Sequence, residues 1–113
     1  MWQSLLLDFY GELLTEKQHS CYDLHINEDL SLSEIAEQLG ISRQGVWDNI
    51  RRAEETLKGI EEKTGLIGRF ERTRRELDRL SGEAAALAAS MEGEPRRKAE
   101  ELAAGLRVLR DED

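Results

Sequence analysis

The residues best suited to chemistry fall within one short stretch: Arg43, Gln44, Trp47, Arg51, Arg52 and Lys58. Arg43 and Gln44 carry groups that hydrogen-bond in pairs to the edges of guanine and adenine respectively. Arg51, Arg52 and Lys58 can hold phosphate oxygens. Trp47 lies one residue past Val46 and is expected to be at least partly exposed. There it can stack on an unpaired base, anchor a protein partner, or fold back on the rest of the chain. This is the chemistry of recognition rather than of bond making.

A second basic set, Arg69, Arg72, Arg74, Arg75 and Arg79, is interrupted by Glu71, Glu76 and Asp78. Spread along a helix, it could follow a phosphate backbone or meet an acidic partner. Glu71 and Arg75, Arg72 and Glu76, and Arg74 and Asp78 are each four apart, so pairing within the helix is the simpler expectation.

His19, Cys21 and His25 invite a metal. His19 and Cys21 are two apart and face different ways on a helix, while Cys21 and His25 make only two ligands. No metal and no cofactor is expected. The chain shows no nucleophile beside a base, no phosphate loop and no clustered carboxylates, so it does not read as an enzyme.

The elements that must position the recognition residues are legible in their neighbours. Ser31 can cap a helix, with Glu34 three residues on completing a capping box. Ile35, Ala36 and Leu39 form its buried side. Gly40 can adopt the left-handed conformation of a sharp helix exit. Ile41 plugs the corner, Ser42 caps the next helix, and Val46 and Ile50 lie on that helix's inner face. These features in register predict a helix-turn-helix over Ser31 to Arg52.

Before it, a helix from about Met1 to Leu14 is expected to turn Trp2, Leu5, Leu6, Phe9 and Leu13 inward. A second, capped by Thr15 with Gln18, is expected over Glu16 to about Asn27, with Cys21, Leu24 and Tyr22 inward. The helix carrying Trp47 should continue along Ala53, Leu57 and Ile60 and stop near Lys63-Thr64-Gly65. Residues 1–64 therefore form one expected domain. Residues 65–113 form a helical extension, with a long helix over about 66–91, a break at Gly93-Pro95 and a last helix over about 95–111. Phe70, Thr73, Leu77, Leu80, Ala84, Leu87 and Met91 alternate four and three apart as a heptad-like seam. Ala99, Leu102, Leu106 and Leu109 share a face of the last helix. Such a seam needs a hairpin, the first domain or another chain, which makes a homodimer an expected state.

The 113 residues suffice for one domain, or for a small domain with an appendage. One cysteine and no basic-flanked apolar leader suit a reducing cytoplasm, and no apolar stretch is long enough for a membrane span. One proline and few strand-like runs predict an all-α fold. The net charge is −8. Residues 1–64 hold 6 Lys/Arg against 13 Asp/Glu, a net of −7, so a duplex contact there must come from a local patch.

L-T-E-K-Q at 14–18, D-L-S-L-S-E-I-A-E-Q-L-G-I-S-R-Q-G-V at 29–46 and R-R-A-E at 51–54 resemble the fourth region of sigma factors, their promoter-reading helix-turn-helix domain. D-N-I-R-R at 48–52 and E-E-K-x-x-L-I-x-x-F from Glu61 to Phe70 bring the chain closer to the small bacterial YlxM-like family. The resemblance covers about Leu5 to Phe70. It implies a non-enzymatic, cytoplasmic regulator or adaptor of the signal recognition particle pathway, with the particle's RNA and its GTPase protein as partners. The alternative is a DNA-binding transcription regulator with a sigma-like helix-turn-helix.

Overall fold

The computed structural model describes residues 2–112, which fold into six helices: α1 (Trp2–Tyr10), α2 (Glu16–Ile26), α3 (Leu32–Leu39), α4 (Arg43–Thr64), α5 (Leu66–Ala89) and α6 (Gly93–Asp111). The fold is all-α, and the described residues contain no strand. They cluster into one compact unit up to Ile67 and a second from Gly68 onward.

Local chemistry sets the helix starts in the first unit. Thr15 and Gln18 form a reciprocal capping box at α2, and Ser31 and Glu34 form another at α3. The Ser31 backbone N–H bonded to Glu34 holds that carboxyl below its ordinary range. Gly40 ends α3 at φ 68°, a conformation that costs a glycine nothing because it has no Cβ. The Ser42 side chain accepts from the Gly45 N–H at 3.0 Å and starts α4. A Cβ at position 45 would lie 3.2 Å from that Ser42 oxygen, so glycine leaves the cap room. Gly65, at φ 62°, closes α4.

Two apolar clusters meet on α4. Leu6, Leu7, Tyr10, Tyr22, Ala53, Leu57 and Ile67 form one, joining α1 and α2 to the middle of α4. Cys21, Ile35, Ala36 and Val46 form the other, joining α2 and α3 to the start of α4. Cys21 is fully buried, which raises its thiol pKa.

The inward face of α1 differs from the expected one. Leu6, Leu7 and Tyr10 are buried, whereas Trp2 and Phe9 are about 40% exposed and Leu13 is 68% exposed. The α-helix ends at Tyr10, and one turn of tighter 3₁₀ helix (Gly11–Leu13) breaks the phase that would have carried Leu13 inward. Tyr10 also has a polar reason to face α4. Its hydroxyl donates to Glu61 Oε1 at 2.5 Å and lies 2.6 Å from Thr64 Oγ1. The same Glu61 oxygen accepts from the Ile67 N–H at 3.1 Å, so one carboxylate ties α1 to the α4–α5 corner.

In the second unit, α6 runs back along α5, with Arg110 Nη1 2.6 Å from Asp78 Oδ1. The most buried residues of this unit are small. Ser81, Ala88, Ala99 and Ala103 are buried; of the expected heptad line, Phe70, Leu77, Leu80, Ala84 and Met91 are half-buried and Thr73 and Leu87 are exposed. On α6, Ala99 is inward as expected and Leu106 is half-buried, but Leu102 is 65% exposed and Leu109 also faces out. The chain breaks between Ala89 and Gly93, and Pro95 sits in the first turn of α6, where its missing N–H costs nothing.

Tyr10 and Tyr22 provide a matched test. The buried Tyr22 hydroxyl has no hydrogen-bond partner among the described residues. Burial, followed by the charge of Glu54, pushes its pKa from 10.0 to about 12. A raised folded-state value stabilises fully below the unfolded value and is lost as pH rises through the folded one. Tyr10→Phe should lower stability in urea by about 1–3 kcal/mol, because it removes a bond to a carboxylate. Tyr22→Phe should be neutral or stabilising by about 1 kcal/mol at neutral pH. It should also flatten the alkaline loss of stability that wild type shows between the two Tyr22 values, 10.0 and about 12.

Candidate nucleic-acid interface

The site grows from the start of α4. Ser42 sets the direction of its first turn, and Val46 and Ile50 hold its inner face in the core. The Asn49 side chain donates to Gly45 O at 2.8 Å and braces the same turn. With the inner face occupied, Arg43, Gln44 and Trp47 are turned outward. Together with Leu32 of α3 they line an open cleft of about 450 Å³. Trp47 is 47% exposed.

The cations further along α4 are differently placed. Arg51 lies over the Trp47 ring, 5.3 Å from its centroid, and pairs with Glu55 at 2.9 Å. Lys58 pairs with Glu54 at 3.0 Å. Arg43 and Arg52 are exposed and make no ion pair among the described residues. Of the six candidates, three (Arg43, Gln44, Trp47) share the cleft and Arg51 braces it. Arg52 stands apart, and Lys58 is committed to its own helix. Sequence reasoning missed Leu32 as a wall, and it missed the bond from Gln44 Nε2 to Asp48 Oδ1 at 3.3 Å. The available signal for this bond and for both ion pairs was the four-residue spacing of the partners.

The second basic set belongs to the other unit. Arg79 is held by Glu76 and by Glu83, the latter at 3.0 Å, and Arg79 keeps the Glu76 carboxyl low. None of the expected pairs Glu71–Arg75, Arg72–Glu76 and Arg74–Asp78 forms among the described residues; Arg79 takes Glu76, and Arg110 of α6 takes Asp78. Arg69, Arg72, Arg74 and Arg75 make no ion pair among the described residues. Arg69 and Arg74 join Arg110 around a smaller cleft of about 220 Å³ that Phe70, Leu77 and Leu109 also line.

His19, Cys21 and His25 are not brought together as a ligand set. Cys21 is in the core, His25 Nδ1 lies 3.1 Å from Leu30 O, and no group of three potential metal ligands occurs among the described residues. Nor is any described helix long and apolar enough to cross a membrane.

Capped α3, left-handed Gly40 and capped α4, with the first turns of α4 turned outward, define a helix-turn-helix protein. The chain belongs to the UPF0122 family of YlxM / p13-like helix-turn-helix proteins, whose match covers residues 1–93. A UPF0122 protein of Acetivibrio thermocellus is 58% identical over 67 residues, a match spanning 59% of this chain and 57% of the relative. UPF0122 proteins of a Thermoanaerobacter species and of Geobacillus kaustophilus are 46% and 50% identical over 80 residues, 71% of this chain and 68% and 73% of theirs. The family's helix-turn-helix points to nucleic-acid binding and to a regulatory rather than a catalytic role.

The ion pairs on α4 should limit how many cations reach a phosphate backbone. Glu54→Gln with Glu55→Gln releases Lys58 and Arg51. The double variant should bind a labelled B-DNA duplex more tightly at low salt, with a salt slope steeper by about 0.9 per released cation. Fluorescence anisotropy across a salt series reads this. An unchanged slope would mean that the carboxylates do not hold the two cations back.

Proposed function

We propose that this chain is a non-enzymatic cytoplasmic adaptor of the signal recognition particle pathway. Its helix-turn-helix binds the particle's RNA, and the particle's GTPase protein is a second partner. The observation that carries the RNA assignment is the composition of the outward face of α4. Among the candidate residues it offers two unpaired cations, Arg43 and Arg52, an amide and a half-exposed indole, while Arg51 and Lys58 are neutralised within the helix. Asp48, which has no ion pair among the described residues, adds negative charge where a duplex backbone would pass. Splayed RNA bases need flat surfaces and edge contacts more than a dense row of cations. The link to this particular pathway comes from the likeness to YlxM-like proteins.

A second function is favoured by one feature. Arg43 stands unpaired in the first turn of a capped helix, where helix-turn-helix proteins touch base edges in the major groove. A sequence-specific DNA-binding regulator would use it so.

A gel shift against the particle RNA and an RNA of equal length and scrambled sequence separates these. The particle RNA should bind preferentially, and Arg43→Ala should weaken it by about 1–3 kcal/mol. Equal, negligible binding to both RNAs, with no binding to the GTPase protein, would sink the proposal. Recovery of a duplex DNA motif that is lost on Arg43→Ala would favour the alternative. Self-association into a homodimer through the outward leucines of α6 is a separate part of the proposal. Sedimentation at several concentrations should show a dimer that Leu102→Asp dissociates, whereas a monomer throughout would remove it.

A further inference from the structure

Trp47 has surroundings that neither duplex binding nor a role in the core accounts for. Its ring is not part of either apolar cluster. Arg51, one turn further along α4, lies over the ring and pairs with Glu55, while the indole remains 47% exposed. Arg51 does not line the cleft, whereas Trp47 does, with Leu32 as a second apolar wall. The polar groups at the cleft are complementary in kind. Arg43 is a donor with no carboxylate partner among the described residues. Gln44 has its amide nitrogen committed to Asp48, which leaves its carbonyl oxygen as an acceptor. A volume of about 450 Å³ lies within the range of small-ligand sites and has room for a nucleotide.

We propose that this cleft receives a single unpaired purine of an RNA, stacked on the Trp47 ring, with its edge held by the Arg43 guanidinium and the Gln44 carbonyl. A purine presents acceptors and donors together along one edge, guanine through O6 with N1 and N2, adenine through N7 with N6. Its π-face stacks on an indole without requiring neutralised phosphates, so the acidic surroundings of α4 are tolerated. A base inside a helix cannot enter, because both its faces are already stacked. This inference rests on the nucleic-acid function proposed above and names what the site selects.

The test uses the full chain and three RNA hairpins: one with a single bulged purine, the same hairpin fully paired, and one with an abasic nucleotide at the bulge. In a Trp2→Phe background Trp47 is the sole indole, and its fluorescence should be quenched by the bulged hairpin alone. By anisotropy the bulged hairpin should bind at least tenfold more tightly than the other two. Trp47→Ala should erase that preference, and Trp47→Phe should keep most of it. Equal affinity for all three hairpins overturns the inference. So does a Trp47→Ala variant that keeps the preference, or one that loses binding to the GTPase protein while RNA binding is intact. If the bulged hairpin is preferred but the particle RNA is not bound, the pathway proposal fails and the base site stands. If the particle RNA is bound and Trp47→Ala leaves its affinity unchanged, the reverse holds.

Discussion

The first unit depends on one constraint: the inner face of α4 must serve two cores at once. Val46 closes the cluster made with α2 and α3, Ala53 and Leu57 close the cluster made with α1 and α2, and Ile50 packs against both. A helix rotated to improve one contact would lose the other. The rotation of α4 about its axis is therefore fixed from two sides, and so is the direction of everything on its outer face. Arg43, Gln44 and Trp47 point outward because Val46 and Ile50 cannot. Recognition surfaces need such a frame, since side chains on an unrestrained helix would lose more entropy on binding.

Electrostatics then narrows what that surface can do. The unit is acidic, and two of its outer-face cations are spent on carboxylates four residues away. Exposed pairs of this kind add little stability, on the order of 0.3–0.5 kcal/mol each. Their consequence is greater for binding, because a paired cation attracts a phosphate less. Trp47 gains instead, since the pair with Glu55 places Arg51 over its ring. A surface poor in free charge and provided with an oriented aromatic suits a ligand recognised by shape and stacking.

The second unit shows a different solution to packing. Its most buried residues are a serine and alanines, with Leu77 and Leu80 of the heptad pattern half-buried and only Leu87 of its leucines exposed. Arg110 of α6 pairs with Asp78 of α5 at 2.6 Å. That one cross-helix pair also rearranges the charges of α5. It takes a carboxylate that Arg74 could have used, as Arg79 takes one that Arg72 could have used. The family match ends at residue 93, where α6 begins, so α6 is read from its own chemistry alone.

The helix-turn-helix can be read from residue order alone, because its signals are local. Both capping boxes, the Ser42 cap and the left-handed turns at Gly40 and Gly65 depend on residues within a few positions of one another, and each is where the sequence places it. The cleft residues Arg43, Gln44 and Trp47 were legible for the same reason, as the outer side of a helix whose inner side was plain. Which faces of α1, α5 and α6 are buried follows from packing between helices, not from residue order. Periodicity names several stripes on these helices, and the choice among them belongs to the partner: Glu61 and Thr64 draw Tyr10 in, and the alanines of α6 select Ser81 and Ala88 over Leu87. The wall supplied by Leu32 likewise comes from a neighbouring helix. Spacing along one chain sets what a helix can present, and the helix packed against it sets what stays exposed.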